Sequence, residues 1–364
     1  MFGFQQSCDA DLYTDLGKLC SINLESCWYE SRPVGTVILN ALMPYGLAPF
    51  NHLLLLFFSL YLIVSESGFE LGRKYSKSWI SALMLKATGA FLLLEIMFIG
   101  LASVNLTDVS AGILAALAIL GFTRKNVFLF ALAGGLSVLI RSAYLYPFLI
   151  LAIWFLIECL YQKRREGLYV GLFFVCIALQ YFLTYQHTGM FAFLEPSSTK
   201  YWQEFHLSSN WCGYDSLVPA AGTLAHPAGF VWQDTSMLGL TTAYRQQQWF
   251  EILRLFAART GFYFSTFVPW GKVFLTSPAE RIFSLWVLVG HLAAMVLSIL
   301  YLLRRGILWR IGFSLSLILA QGVLIIPEQR FVFVIQLFLV MFSYLYICEL
   351  AGQRRAPSIK SGAV

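Results

Sequence analysis

Residues 283–326 read FSLWVLVGHLAAMVLSILYLLRRGILWRIGFSLSLILAQGVLII. Two apolar runs, 283–303 and 310–326, flank a short stretch carrying Arg304, Arg305 and Arg310. A hydrocarbon core of ~30 Å needs about 20 apolar residues as helix, fewer where neighbours shelter the ends. Basic residues in short loops stay on the cytoplasmic side. The stretch therefore reads as a membrane hairpin with its turn inside. The pattern recurs along the chain and predicts nine spans: 48–65, 82–104, 108–122, 126–141, 144–160, 167–184, 283–303, 310–326 and 331–350. Further basic groups fall at Arg73, Lys74 and Lys77, at Arg124 and Lys125, at Lys163, Arg164 and Arg165, and at Arg354, Arg355 and Lys360. They alternate with the spans, which places the C-terminus in the cytoplasm and the N-terminus outside.

Composition agrees. Of 364 residues, 59 % are apolar and 12 % charged, about half the charged share of a soluble domain. Mean hydropathy is +0.70. A soluble, disordered or fibrous chain is excluded. The net charge of +6 is a topology signal, and no basic face gathers on a soluble domain, so nucleic acid is not an expected partner. The start, MFGFQQSCDADLY, has no basic region followed by an apolar run, hence no signal peptide and no first span. With the N-terminus outside, a first helix upstream of residue 1 is the expectation.

Five regions follow. Residues 1–47 form an extracytoplasmic segment with a catalytic loop and an interfacial helix, 34–42, opened by Pro33. Six spans occupy 48–184. Residues 185–282 form a long outer loop, too long to lack helices of its own. Trp249, Ile252, Leu253 and Phe256, flanked by Arg245, Arg254 and Arg259, recur there at helical spacing and read as a second interfacial helix. Three spans fill 283–350, and 351–364 is a cytoplasmic tail. The fold class is an all-α integral membrane protein.

Cysteines sort by side. Cys159, Cys176 and Cys348 fall in spans and read as small buried apolar residues. Cys8, Cys20, Cys27 and Cys212 fall outside, where an oxidising compartment allows disulfides, and the sequence does not choose the pairing. The histidines, at 52, 187, 206, 226 and 291, are scattered and read as structural. No Walker A, dinucleotide turn or GxSxG is present. Most of the 19 Asp and Glu lie outside the membrane, and Glu95 is the one plainly inside a span. A transporter would gather ionisable groups near the midplane, so the asymmetry points to chemistry at the outer surface.

The sharpest local feature is Asp9-Ala10-Asp11-Leu12-Tyr13, followed by Arg32-Pro33-Val34-Gly35 and the interfacial stretch. That order resembles the first outer loop of the GT-C glycosyltransferases, polytopic enzymes that take sugars from polyprenyl-phosphate carriers. Three further places are similar to the family's pattern, in the same order. Asn105-Leu106-Thr107-Asp108 lies at the outer start of a span. Leu139-Ile140-Arg141 ends the next, before Tyr144 and Pro147. Pro327-Glu328-Gln329-Arg330-Phe331 sits at the outer end of the last helix pair. The departures are the absent first helix, a long loop that matches no known pattern, and Phe331 where Tyr is commoner.

The resemblance implies a bacterial inner-membrane enzyme with its active site facing the periplasm. It would move a sugar from a polyprenyl-phosphate carrier to a glycan, lipid or protein acceptor, with membrane lipid around it. A carboxylate at the surface suits deprotonation of the acceptor hydroxyl. The candidates are Asp9 first, then Asp108 and Asp11. Arginine suits the departing phosphate, which puts Arg141 and Arg330 there; the substrate-binding residues that the resemblance implies are Tyr13, Arg32, Arg141, Glu328 and Arg330. No cofactor is implied. Asp9 and Asp11 could share a divalent metal, although the smaller enzymes of this kind mostly work without one. The competing readings are an O-antigen polymerase or ligase, and a transporter or flippase.

Overall fold

The computed structural model describes residues 8–29, 32–43, 46–67, 77–102, 107–194, 278–325 and 333–355, with 249, 250, 253, 257, 260 and 264. Among the described residues the chain is helical, apart from one isolated antiparallel bridge between Tyr29 and Arg32. Helix α1 is Cys8–Ile22, followed by a short 3-10 turn at Leu24–Cys27, and α2 is Val34–Leu42. Then come α3 (Ala48–Ser67), α4 (Lys77–Ala102), α5 (Thr107–Thr123) and α6 (Val127–Ile140). Next are α7 (Leu145–Tyr161), α8 (Val170–Thr188), α9 (Pro278–Arg305), α10 (Leu308–Ile325) and α11 (Phe333–Arg355).

Five stretches are long and apolar enough to cross a membrane: Ala48–Glu66, Ser142–Tyr161, Arg165–Thr188, Leu285–Arg305 and Phe333–Ala351. Thr107–Thr123, Val127–Ile140 and Leu308–Gln321 are apolar but shorter. The shortness of α5 has a physical reason. Every residue of α5 except Leu114 is buried, so other helices surround it. A helix that is apolar all round belongs inside a bundle. Its partner α6 runs back against it at very close range. A Cβ on Gly121 would lie 2.6 Å from the backbone nitrogen of Phe130, so only glycine permits this approach. Around the pair, Phe122, Phe130, Phe155 and Phe173 interlock as ring contacts between 5.3 and 6.1 Å.

One expected loop is a helix. Asp9, Asp11 and Tyr13 lie on α1, where the sequence suggested a catalytic loop. Leu12, Leu16 and Leu19 recur at helical spacing, and acidic residues in a first turn complement the positive end of the helix dipole. In the second outer region, Trp249, Phe250, Leu253, Ala257, Thr260 and Phe264 are helical. The Phe264 ring meets His291 edge-on at 6.2 Å.

The bundle has two distinct ends. At one, α2 lies across the ends of α6 and α8, with α1 packed on α2. We call this the roofed end. At the other, the basic residues between successive helices gather with Glu66, Glu158 and Glu349.

Candidate functional site at the roofed end

The roof starts from a disulfide. Cys20 in α1 is bonded to Cys27 in the following 3-10 turn. This realises one of the pairings open in the sequence. Around it Leu16, Cys20, Cys27 and Val37 form a small core of their own, separate from the main one. Gly17 lets α1 touch α2, since a Cβ there would stand 2.7 Å from the Asn40 carbonyl carbon. The chain then turns through Trp28, whose ring stacks on His187 at the end of α8 at 4.6 Å.

Pro33 caps α2 with extended backbone, and the first α2 residue fastens to a span. Val34 N–H donates to Gln180 Oε1 of α8 at 2.8 Å. Thr36 Oγ1 donates to the Ile140 carbonyl at the end of α6. Gly35 sits against Leu139, where a Cβ would be 2.6 Å from the carbonyl oxygen. The motif Arg32-Pro33-Val34-Gly35 thus works as a joint. It pins the roof helix to the point where α6 stops.

Reducing or deleting the Cys20–Cys27 bridge should loosen the roof alone. Losing a native disulfide costs about 2–5 kcal/mol in small secreted domains, and here the large core lies in the spans. In Cys20→Ala/Cys27→Ala, hydrogen exchange should quicken across α1 and α2 and stay unchanged in α5 and α6. Equal quickening in α5 would mean that the roof is part of the main cooperative unit.

Directly beneath the joint lies a charged pair. Arg141, the first residue past α6, places Nη1 2.9 Å from Asp108 Oδ1 in the first turn of α5. The side chains are 12 % and 1 % exposed. Burial of an ion pair is costly unless geometry and further hydrogen bonds compensate, so a pair kept here is a feature to be explained. Tyr144, also buried, is close enough to feel both charges. The neighbouring polar groups knit the helix starts together. Ser110 Oγ donates to Asn51 Oδ1 of α3 at 2.5 Å, and Ser137 Oγ donates to the Ala111 carbonyl at 2.8 Å. Among the described residues the Thr107 hydroxyl, 1 % exposed, has no hydrogen-bond partner. Such an orphan in a native interior asks for a water or a ligand.

A second pair lies on the adjoining hairpin. His52 Nδ1 of α3 is 2.7 and 2.9 Å from the two carboxylate oxygens of Glu95 in α4. Glu95 therefore has a partner within the span region, which residue spacing alone did not name. His291 is structural, its Nδ1 3.0 Å from the Val287 carbonyl one turn back.

The expected site residues thus fall into four groups. Asp108 and Arg141 meet. Arg32 lies at the joint, bridged through its backbone to Tyr29. Asp9, Asp11 and Tyr13 are placed on α1, but their side chains lie outside the described residues, as does the metal pairing suggested for Asp9 and Asp11. Glu328 and Arg330 lie outside the described residues altogether. Among the described residues no three His, Cys, Asp or Glu side chains converge. Sequence reading missed Thr107 as an orphan, Gln180 as the anchor of the roof, and the His52–Glu95 partnership. Compared with known proteins, the chain matches no family model, no curated sequence and no solved structure.

Proposed function

We propose that this chain is a membrane glycosyltransferase of the GT-C kind. In this reading α3 to α11 are nine spans, the roofed end faces the periplasm of a bacterial inner membrane, and the donor is a polyprenyl-phosphate sugar. The acceptor is a glycan, lipid or protein. The observation that carries the reading is the buried Asp108–Arg141 pair, with Tyr144 and the orphan Thr107 hydroxyl beside it, at one end of an otherwise apolar bundle.

The roles follow from the chemistry. Asp9 takes the proton of the acceptor hydroxyl. The acceptor oxygen bonds to the anomeric carbon, the bond from that carbon to the phosphate oxygen breaks, and polyprenyl phosphate leaves with the electron pair. Arg141 offers a fixed positive charge on a planar fork of N–H donors beside Asp108. That charge suits the leaving phosphate, together with Arg32 at the joint. Asp108 is 1 % exposed and its carboxylate stands 2.9 Å from Arg141 Nη1. It acts to orient Arg141, so Asp9 and Asp11 remain the candidates for proton transfer.

The apolar carrier also has somewhere to lie. A crevice of about 540 Å³ runs along the outer half of α8, lined by Phe174, Ile177, Ala178, Tyr181, Phe182, Tyr185 and Phe191.

The test is transfer itself. Purified protein in vesicles, given polyprenyl phosphate carrying labelled sugar and an acceptor pool of envelope glycan and lipid, should release free polyprenyl phosphate and label the acceptor fraction. Absence of release with hexose, aminohexose and pentose donors alike would overturn the reading. The second reading, a transporter, is favoured by one observation, the His52–Glu95 pair within the span region. Labelled solute gained by sealed vesicles, with no covalent product, would support it instead.

A further inference from the structure

We infer that the basic end of the bundle is a standing ionic seal, so that the roofed-end site is reached only from its own side of the membrane. The inference starts from Glu66, 11 % exposed at the end of α3. Its carboxylate is the hub of three contacts on two other helices. It pairs with Arg124, just past α5, and with Arg305 of α9 at 3.5 Å, and it accepts from the fully buried Tyr301 hydroxyl of α9. Arg305 continues to Glu349 of α11.

A second hub adjoins the first. Both oxygens of Glu158 in α7 accept from Arg310 Nη2 of α10, at 2.6 and 2.7 Å, and Lys125 approaches at 3.2 Å. Arg310 Nη1 also donates to the Phe122 carbonyl in the last turn of α5 at 2.9 Å. The last turn of the central helix is therefore gripped from both sides. Six helices, α3, α5, α7, α9, α10 and α11, are tied together at this end.

The space left within the first hub is about 30 Å³, bounded by Glu66, Lys86, Tyr301, Arg305, Cys348 and Glu349. That is room for about one water molecule, not for a solute. Parting these helices would separate partly buried carboxylates and guanidinium groups from their partners, the costly way to break such pairs. Alternating access needs repeated opening of both ends. Here one end is closed by complementary charge, while the roof at the other end rests on a few hydrogen bonds and a joint.

Cys348 is a built-in reporter, since its thiol is free and lines this space. In a chain with Cys8, Cys159, Cys176 and Cys212 changed to Ser, the Cys20–Cys27 bridge remains and Cys348 is the single thiol. Inside-out vesicles are treated with a membrane-impermeant maleimide. Labelling should be slow, and equally slow with and without polyprenyl-phosphate sugar. In the same background with Cys348→Ser, a thiol at exposed Arg165 (Arg165→Cys) should label fast. Glu66→Gln removes the hub charge with little change of shape and should speed Cys348 labelling about tenfold or more, by raising the open population. Glu349→Gln should act in the same direction and covers the case in which Glu66→Gln does not fold. Wild-type labelling as fast as the Arg165→Cys control, a rise on adding donor, or no change in the folded Glu→Gln proteins would each overturn the seal. None of these readouts requires sugar transfer, so the seal and the glycosyltransferase reading stand or fall separately.

Discussion

Asp108→Ala is expected to destabilise the protein by about 3–5 kcal/mol, the usual cost of leaving a buried charge without its partner. The charge left behind is that of Arg141, which has little contact with solvent and sits where α2 presses on the end of α6. Loss of the acid also removes a favourable charge from the first turn of α5. Arg141→Met should destabilise comparably, because Asp108 is then stranded. The informative protein is the double variant Asp108→Val/Arg141→Met. Replacing both charges with apolar groups of similar size is often neutral or stabilising, so its melting temperature in detergent should return most of the way to that of the parent. On the proposed reading transfer activity should not return, because the cation proposed to meet the phosphate is gone. The same double variant transferring at the parent rate would leave the pair as a fastening between α5 and α6 and nothing more.

Both charged pairs at the roofed end were written in the sequence more plainly than residue types suggest. Asp108 and Arg141 lie equally far from the turn at Arg124 and Lys125, and α5 and α6 are an antiparallel hairpin about that turn. His52 and Glu95 are equally far from Arg73 and Lys74 in the same way. Folding each hairpin at its basic turn brings the partners level. Glu95 could have been matched by this rule instead of being left as a lone acid. The central place of α5 was also legible, since SAGILAALAILG has no polar face to show to water and small residues for close approach.

Other features were not legible, for two different reasons. The first is range. Tyr301 meets Glu66 across 235 residues, and Arg310 meets Glu158 across 152. No local spacing encodes which acid at the basic end meets which arginine. The basic loops therefore spoke only of topology, although their residues also tie six helices. The second is competition between local signals. Asp9-Ala10-Asp11 has the composition of a turn, yet Leu12, Leu16 and Leu19 recur at helical spacing, and Leu16 and Cys20 of α1 lie in the small core with Val37 of α2. Periodicity over the whole of α1 outweighed the acids of its first turn.

Asp9→Asn should lower the transfer rate 10²–10⁴-fold, ~3–5 kcal/mol at the barrier, as expected for loss of a positioned general base. The placement of α1 is the physical reason to single it out. Asp9 lies in the first turn of α1, where the helix dipole favours the ionised carboxylate. The disulfide and Gly17 fix α1 on α2, and Thr36 with Gly35 fixes α2 on the end of α6, next to Arg141. The proposed base and the proposed phosphate ligand are thus linked through a short, braced path, although 132 residues (141 − 9) separate them in the chain. Because asparagine keeps the shape and α1 lies outside the main core, the melting temperature should move little. Asp11→Asn serves as the comparison. Positions two apart on a helix lie about 200° apart around its axis, so one of the two should carry most of the loss. If Asp9→Asn transfers near the parent rate while Asp11→Asn is slow, the base is Asp11. If both are near the parent rate in a protein that transfers, proton removal does not depend on α1 and must come from another group at the roofed end.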